Sequence, residues 1–324
     1  MPLNEEFTPK TEAAAAQFFE NEQNQKVEET QTNPAPVNLG KANSLIVDDE
    51  PSLVNEIGWI RVKPETLPSQ GIFYPTGTEI TIRAASASEI RHWSTIDDDD
   101  ILSMDDALNK IMERCSRIRI GNMPGTYKDI KEIDRFFMIF AIRELTFKKG
   151  ENSLNVSFDC ANCGKVDQRS IIKEMLSYYT AAPELQTRFS EELRCFQLKM
   201  TNGEELRLSL PSLGVMNYIK GYVKDKVQKG AEYDKAFLKW APFLFPDWRG
   251  LNDAAYQKAL QDSYAWGTDK ISVIDWFVTQ MQHTVKATVK NECSVCGEEA
   301  TAPINFQGGI KSLFLISDIT SKLL

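Results

Sequence analysis

Between Trp59 and Phe306 the chain alternates between two hydrophobic rhythms. In "GTEITIR" (77–83) Ile80 and Ile82 alternate with Glu79, Thr81 and Arg83, the period-two pattern of a half-buried strand that leads, through Ser86 or Ser88 as a cap, into a helix. Leu108, Ile111, Met112 and Cys115 then recur at helical spacing, predicting a helix from about Ser103. "KDIKEIDRFFMIFAIREL" predicts a longer, buried helix, and "TFKKGENSLNVSFD" a strand, a glycine turn and a second strand on which Leu154, Val156 and Phe158 alternate. Downstream, "EELRCFQLKMTNGEELRLSLPSLGVMNYIKGYVKDKV" reads as strand, Asn202-Gly203 turn, strand and helix. Two more helical patterns, "EYDKAFLKWAPFLF" and "ISVIDWFVTQMQHT", precede "TVKATVKNECSVCGEEATAPINF", which reads as strand, turn and strand.

These elements predict an α+β fold in two related halves, each a strand hairpin, helices and a strand-knuckle-strand unit. Gly77 and Gly203 open similar strands 126 positions apart, and "DCANCGKV" and "ECSVCGEE" lie 133 positions apart. We read this as a diverged internal duplication, with halves at 57–190 and 191–324.

Each half carries one Cys-x-x-Cys-Gly knuckle: Cys160 and Cys163 in the first, Cys293 and Cys296 in the second. Two thiolates are half of a structural zinc site, which takes four ligands. A zinc ribbon spaces its knuckles roughly 15–20 residues apart, whereas here 129 residues intervene. The duplication accounts for the distance: two knuckles facing across a pseudo-twofold axis complete one tetrahedral site, a split zinc ribbon with one zinc per chain. Iron suits the same thiolates. Gly164 and Gly297 follow the second cysteine of each pair, where the turn needs freedom that a Cβ restricts. A thiol-redox pair is a competing reading, but such pairs usually begin a helix after a strand, and these are flanked by strand-like sequence. Cys115 and Cys195 lack any such spacing and are expected in the core.

Charge divides the chain. Residues 1–56 hold eleven acids and three bases, so −8 of the net −9 lies in this segment and the body carries only −1. With its prolines and polar runs the segment is expected to be a disordered acidic tail, with apolar islands at Phe18-Phe19 and "SLIV". The nearly neutral body argues against nonspecific nucleic-acid binding, which needs a basic face. No apolar run approaches the length of a membrane span, and the acidic "MPLNEEFTPK" lacks the apolar stretch of a secretory signal, so a reducing cytosol is expected.

Catalytic signals are sparse. His92 and His283 are the only histidines and read as surface or capping residues; no phosphate-binding loop or nucleophile elbow is present. "IDDDDIL" reads as a solvated acidic loop ahead of a helix rather than a cation site. The aromatics of "FLKWAPFLFPDWRG" are expected mainly in the core, with Pro242 and Pro246 breaking the segment and leaving some for a partner surface.

"LPSQGIFYPTGTEITIRAAS", "FFMIFAIRELTF", "VSFDCANCGKV" and "VKNECSVCGEEATAPINF" followed by "SLF" occur in an order that resembles the baseplate hub and hub-assembly proteins of T-even-type contractile-tailed bacteriophages, over about residues 57–320. The resemblance implies a non-enzymatic role in building a tail baseplate, with other baseplate or hub proteins as partners. It implies a place in the host cytoplasm during assembly or in the virion tail, and no small-molecule substrate, membrane or nucleic acid. The knuckle cysteines carry over to Cys160, Cys163, Cys293 and Cys296. The runner-up is a zinc-ribbon protein that binds nucleic acid in transcription or regulation, which a basic stripe on the body would favour.

Overall fold

Alternation and helical stripes become packed elements in the computed structural model, which describes residues 58–93, 101–147, 155–170, 183–200, 202–285, 288–303 and 313. The acidic segment 1–56, with Phe18, Phe19 and "SLIV", and the Asp97–Asp100 run lie outside the described residues. The fold is α+β, with eight α-helices and antiparallel sheets among the described residues.

The first sheet has four strands in chain order: β1 (Trp59–Val62), β2 (Thr78–Arg83), β3 (Ser116–Ile120) and β4 (Met123–Pro124). The period-two pattern of β2 turns Ile80 and Ile82 inward, where both are fully buried. Ser86 and Glu89 form a capping box at α1 (Ala87–Trp93): each backbone N–H donates to the other's side chain, at 2.8 and 3.4 Å. Helix α2 (Ile101–Cys115) buries Leu108, Ile111, Met112 and Cys115 as its spacing predicts. These side chains meet Phe137, Met138, Phe140 and Ala141 of α3 (Glu132–Thr146), closing the first core against the sheet.

Two expectations around α3 are corrected. The helix does not begin at Lys128: Tyr127–Asp129 form a separate 3-10 turn with its own capping box on Thr126 and Asp129. The Lys131 N–H is instead donated to the Tyr74 hydroxyl at 3.0 Å, which holds the chain extended before the helix starts. At the other end the helix runs through Thr146 where a strand was expected. The Thr146 hydroxyl donates to Ile142 O and accepts the Ala85 N–H, so it ends as a helical residue tied to the strand-to-helix loop.

The second core forms on a three-stranded sheet of β7 (Phe189–Ser190), β8 (Cys195–Lys199) and β9 (Glu205–Leu208), preceded by the short α4 (Pro183–Gln186). The expected Asn202-Gly203 turn joins β8 to β9, with Gly203 at φ +86°. Phe196, Leu198, Leu206 and Leu208 pack on Ile274, Phe277, Val278 and Met281 of α8 (Thr268–Val285), an i, i+3, i+4, i+7 stripe. A third cluster gathers around Tyr256, between α5 (Leu213–Gln228), α6 (Lys235–Leu244) and α7 (Asp253–Ser263). Pro242 lies inside α6 and does not end it. The neighbouring Phe243 is buried in the second core, and Phe237 and Ala241 in the third, so packing on two faces holds the last turn. The aromatics of this region serve as core, as expected: Trp240 donates Nε1–H to Asp275 at 2.7 Å and Trp248 to Asp129 at 2.8 Å. Gly214 on α5 makes room for Trp248, whose Cγ a Cβ there would meet at 2.4 Å.

The cores exchange residues. Leu213 of α5 and Leu313, far beyond it in the chain, lie in the first core, while Phe73 and Ile133 lie in the second. A charged network binds α2, α3 and α5: Arg135 pairs with Asp105 at 2.6 Å and Glu132 at 2.7 Å, and Lys220 with Asp105 at 2.5 Å. No described helix is long and apolar enough to cross a membrane.

The fully buried Asp134 joins α3 to the loop before β2, accepting from Ser69 N (2.8 Å), Ser69 Oγ (2.7 Å) and Tyr74 Oη (2.6 Å). Burial pushes its carboxyl up to about 6, against the pull of those donors. Because this lies above the ordinary aspartate value, its contribution to stability is full below about pH 4 and lost as pH rises through 6, worth about 3 kcal/mol for two units. The unfolding free energy of wild type minus that of Asp134→Asn, from urea denaturation, should therefore fall by about 2 kcal/mol between pH 4 and pH 6.5. A difference that stays flat over this range contradicts the shift.

Candidate metal centre

Each knuckle sits at the tip of a two-stranded hairpin. In the first, β5 (Asn155–Asp159) pairs with β6 (Val166–Ser170); in the second, β10 (Thr288–Glu292) pairs with β11 (Glu299–Pro303). The registers coincide at an offset of 133: Asn155 faces Ser170 as Thr288 faces Pro303, and Asp159 faces Val166 as Glu292 faces Glu299. The turns coincide as well. Cys160 N–H donates to Lys165 O and Gly164 N–H to Cys160 O, at 2.9 and 2.8 Å; Cys293 N–H donates to Glu298 O and Gly297 N–H to Cys293 O, at 2.9 and 3.0 Å. Gly164 at φ +68° and Gly297 at φ +69° hold the left-handed conformation that closes each turn, the freedom the sequence reading required.

The two tips bring all four cysteines together, with every sulfur within 4.8 Å of the others. The closest approaches run between knuckles, Cys160 Sγ to Cys296 Sγ at 3.5 Å and Cys163 Sγ to Cys293 Sγ at 3.6 Å. Both are far longer than a disulfide, at about 2.05 Å. They approach the roughly 3.8 Å edge of a tetrahedron of sulfurs about 2.3 Å from a central zinc. Four thiols in this arrangement fit a tetrahedral thiolate-binding ion. The amides of Cys296 and Val295 point at the Cys293 sulfur and bring its thiol down to about 7. Cys163 also has an amide donor, from Lys165, but desolvation and the surrounding thiols outweigh it and push it up to about 12. A bound cation takes all four as thiolates, so its binding is coupled to their deprotonation.

The other expectations also find their places. Cys115 and Cys195 are buried apart from the cluster; burial pushes Cys115 up to about 12 and raises Cys195. His92 is exposed at the end of α1. The spacing of the cysteines did not flag Asp167 and Ser294, which bond across the two hairpins: Ser294 donates its N–H to Asp167 Oδ2 at 2.8 Å and its hydroxyl to Oδ1 at 2.6 Å.

Comparison of the chain with protein-family models, curated proteins and solved structures found no match.

One metal ion per chain is expected in elemental analysis of the purified protein. Cys160→Ser and Cys293→Ser should each lose it, because the four ligands act as one set, whereas Cys115→Ser and Cys195→Ser should keep it. A ratio near two, or loss from only one knuckle's variant, contradicts a shared site.

Proposed function

We propose that the chain is a non-enzymatic structural or assembly component of a viral contractile-tail baseplate, at or near its hub. On this reading one structural zinc on Cys160, Cys163, Cys293 and Cys296 clasps two related halves, 57–190 and 191–324. The observation that carries the reading is the four-thiol cluster built from two matching hairpins. Four protein ligands fill a tetrahedral ion and leave no position for water or substrate, the arrangement of a structural centre. The duplication gains support from the register match and from a second pair of landmarks. Gly77 and Gly203, both at positive φ, open β2 and β9, and Ser86 and Ser212, also 126 positions apart, cap the helices that follow.

The buried charges described above are occupied in holding elements together, which also suits a structural role. Arg135 serves the α2–α3 network, and Lys131 Nζ donates to Leu210 O at 3.1 Å. The assignment to a baseplate rests on the order of motifs that resembles the hub and hub-assembly proteins, with partners that are other baseplate proteins.

The nucleic-acid alternative finds its nearest support on the outer face of the first sheet, which carries Trp59, Arg61, Arg83, Arg117 and Arg119. Much of that charge is already engaged: Arg83 bonds Glu89, Arg119 bonds Glu79, and Arg117 stacks over Trp59 at 4.0 Å. We therefore keep the assembly reading.

Lysates of a host infected with a nonsense mutant in this gene should contain filled heads and no complete baseplates in electron micrographs. Infectious tailed particles in normal yield overturn the proposal.

A further inference from the structure

The two hairpins match residue for residue, yet they are not equally fastened. Asp167 on β6 is buried, and both of its carboxylate oxygens accept from Ser294, the residue immediately after the ligand Cys293. The first hairpin therefore grips the backbone of the second knuckle. At the offset of 133 the partner of Asp167 is Ala300 and the partner of Ser294 is Ala161. Neither alanine side chain has a polar atom, so the mirror-image grip of the second hairpin on the first knuckle cannot form.

We infer that Asp167 is a positioning residue for the metal centre, setting the Cys293–Cys296 knuckle against Cys160 and Cys163 before the ion arrives. This inference rests on the metal reading above. A carboxylate that accepts a backbone N–H and a hydroxyl together makes the stronger, charge-assisted kind of hydrogen bond. Both oxygens are used, so Asp167 shapes the site without joining the ligand set. An ion entering the site meets one knuckle already held on the opposite hairpin, and less of its binding free energy is consumed in ordering the chain. The lock is one-sided, so the Cys160–Cys163 knuckle has no corresponding tie through Ala161.

The test uses the full chain and zinc itself, titrated against a chromophoric chelator, with hydrogen exchange read on the metal-free protein. Asp167→Ala should bind one zinc per chain with about 10–100-fold lower affinity, the usual effect of losing an outer-shell partner. Ser294→Ala, which removes only the hydroxyl bond, should lose less. Asp167→Asn, which keeps one acceptor oxygen, should fall between wild type and alanine. In metal-free wild type the Ser294 amide should be protected and the Ala161 amide should exchange fast; Asp167→Ala should abolish the protection. Should Asp167→Ala fail to fold, the Ser294→Ala affinity and exchange decide alone. Zinc uptake by wild type with unchanged affinity in Asp167→Ala and Ser294→Ala overturns this role and leaves the metal reading standing. A wild type that takes up no zinc overturns both.

Discussion

Four cysteine sulfurs within 4.8 Å of one another impose the constraint around which the two knuckle hairpins are arranged. As thiolates they repel; as thiols they offer one another only weak S–H contacts. A tetrahedral cation relieves both problems and converts its binding free energy into folding free energy. The two hairpins that carry the sulfurs have most need of it, because a two-stranded hairpin is at best marginally stable in water. On the proposed reading, the ion also joins segments 129 residues apart and removes much of the freedom of the unfolded chain.

Buried contacts elsewhere also join distant parts of the chain. Leu213 and Leu313 complete the first core, and Phe73 and Ile133 reach into the second. Asp129 gathers donors from Thr126, Trp248 and Arg249, and Arg143 donates Nε–H to Leu313 O at 2.8 Å. Apart from the Thr126 bond, each tie is buried or partly buried and spans a long stretch of sequence. On the proposed reading, such ties would hold the shape that partner proteins meet, as an assembly role requires.

Local patterns proved readable wherever one face of an element is buried. Ile80 and Ile82 and the α2 stripe from Leu108 to Cys115 lie where their period placed them, and α8 forms where a helical pattern was read. The cysteine grouping was legible because a knuckle supplies half a site and so requires another half. What escaped was set by contacts between distant segments. The Tyr74 hydroxyl takes the Lys131 N–H and delays α3; packing of Phe243 and its neighbours carries α6 past Pro242. The Asp167–Ser294 bond joins two residues that look like ordinary polar positions until the hairpins face each other.

X-ray absorption at the zinc edge of the purified full chain tests the central claim most directly. The account predicts a first shell of four sulfurs at about 2.3 Å with no lighter scatterer. A shell that mixes sulfur with nitrogen or oxygen, or a protein that carries no thiolate-bound metal, would contradict it.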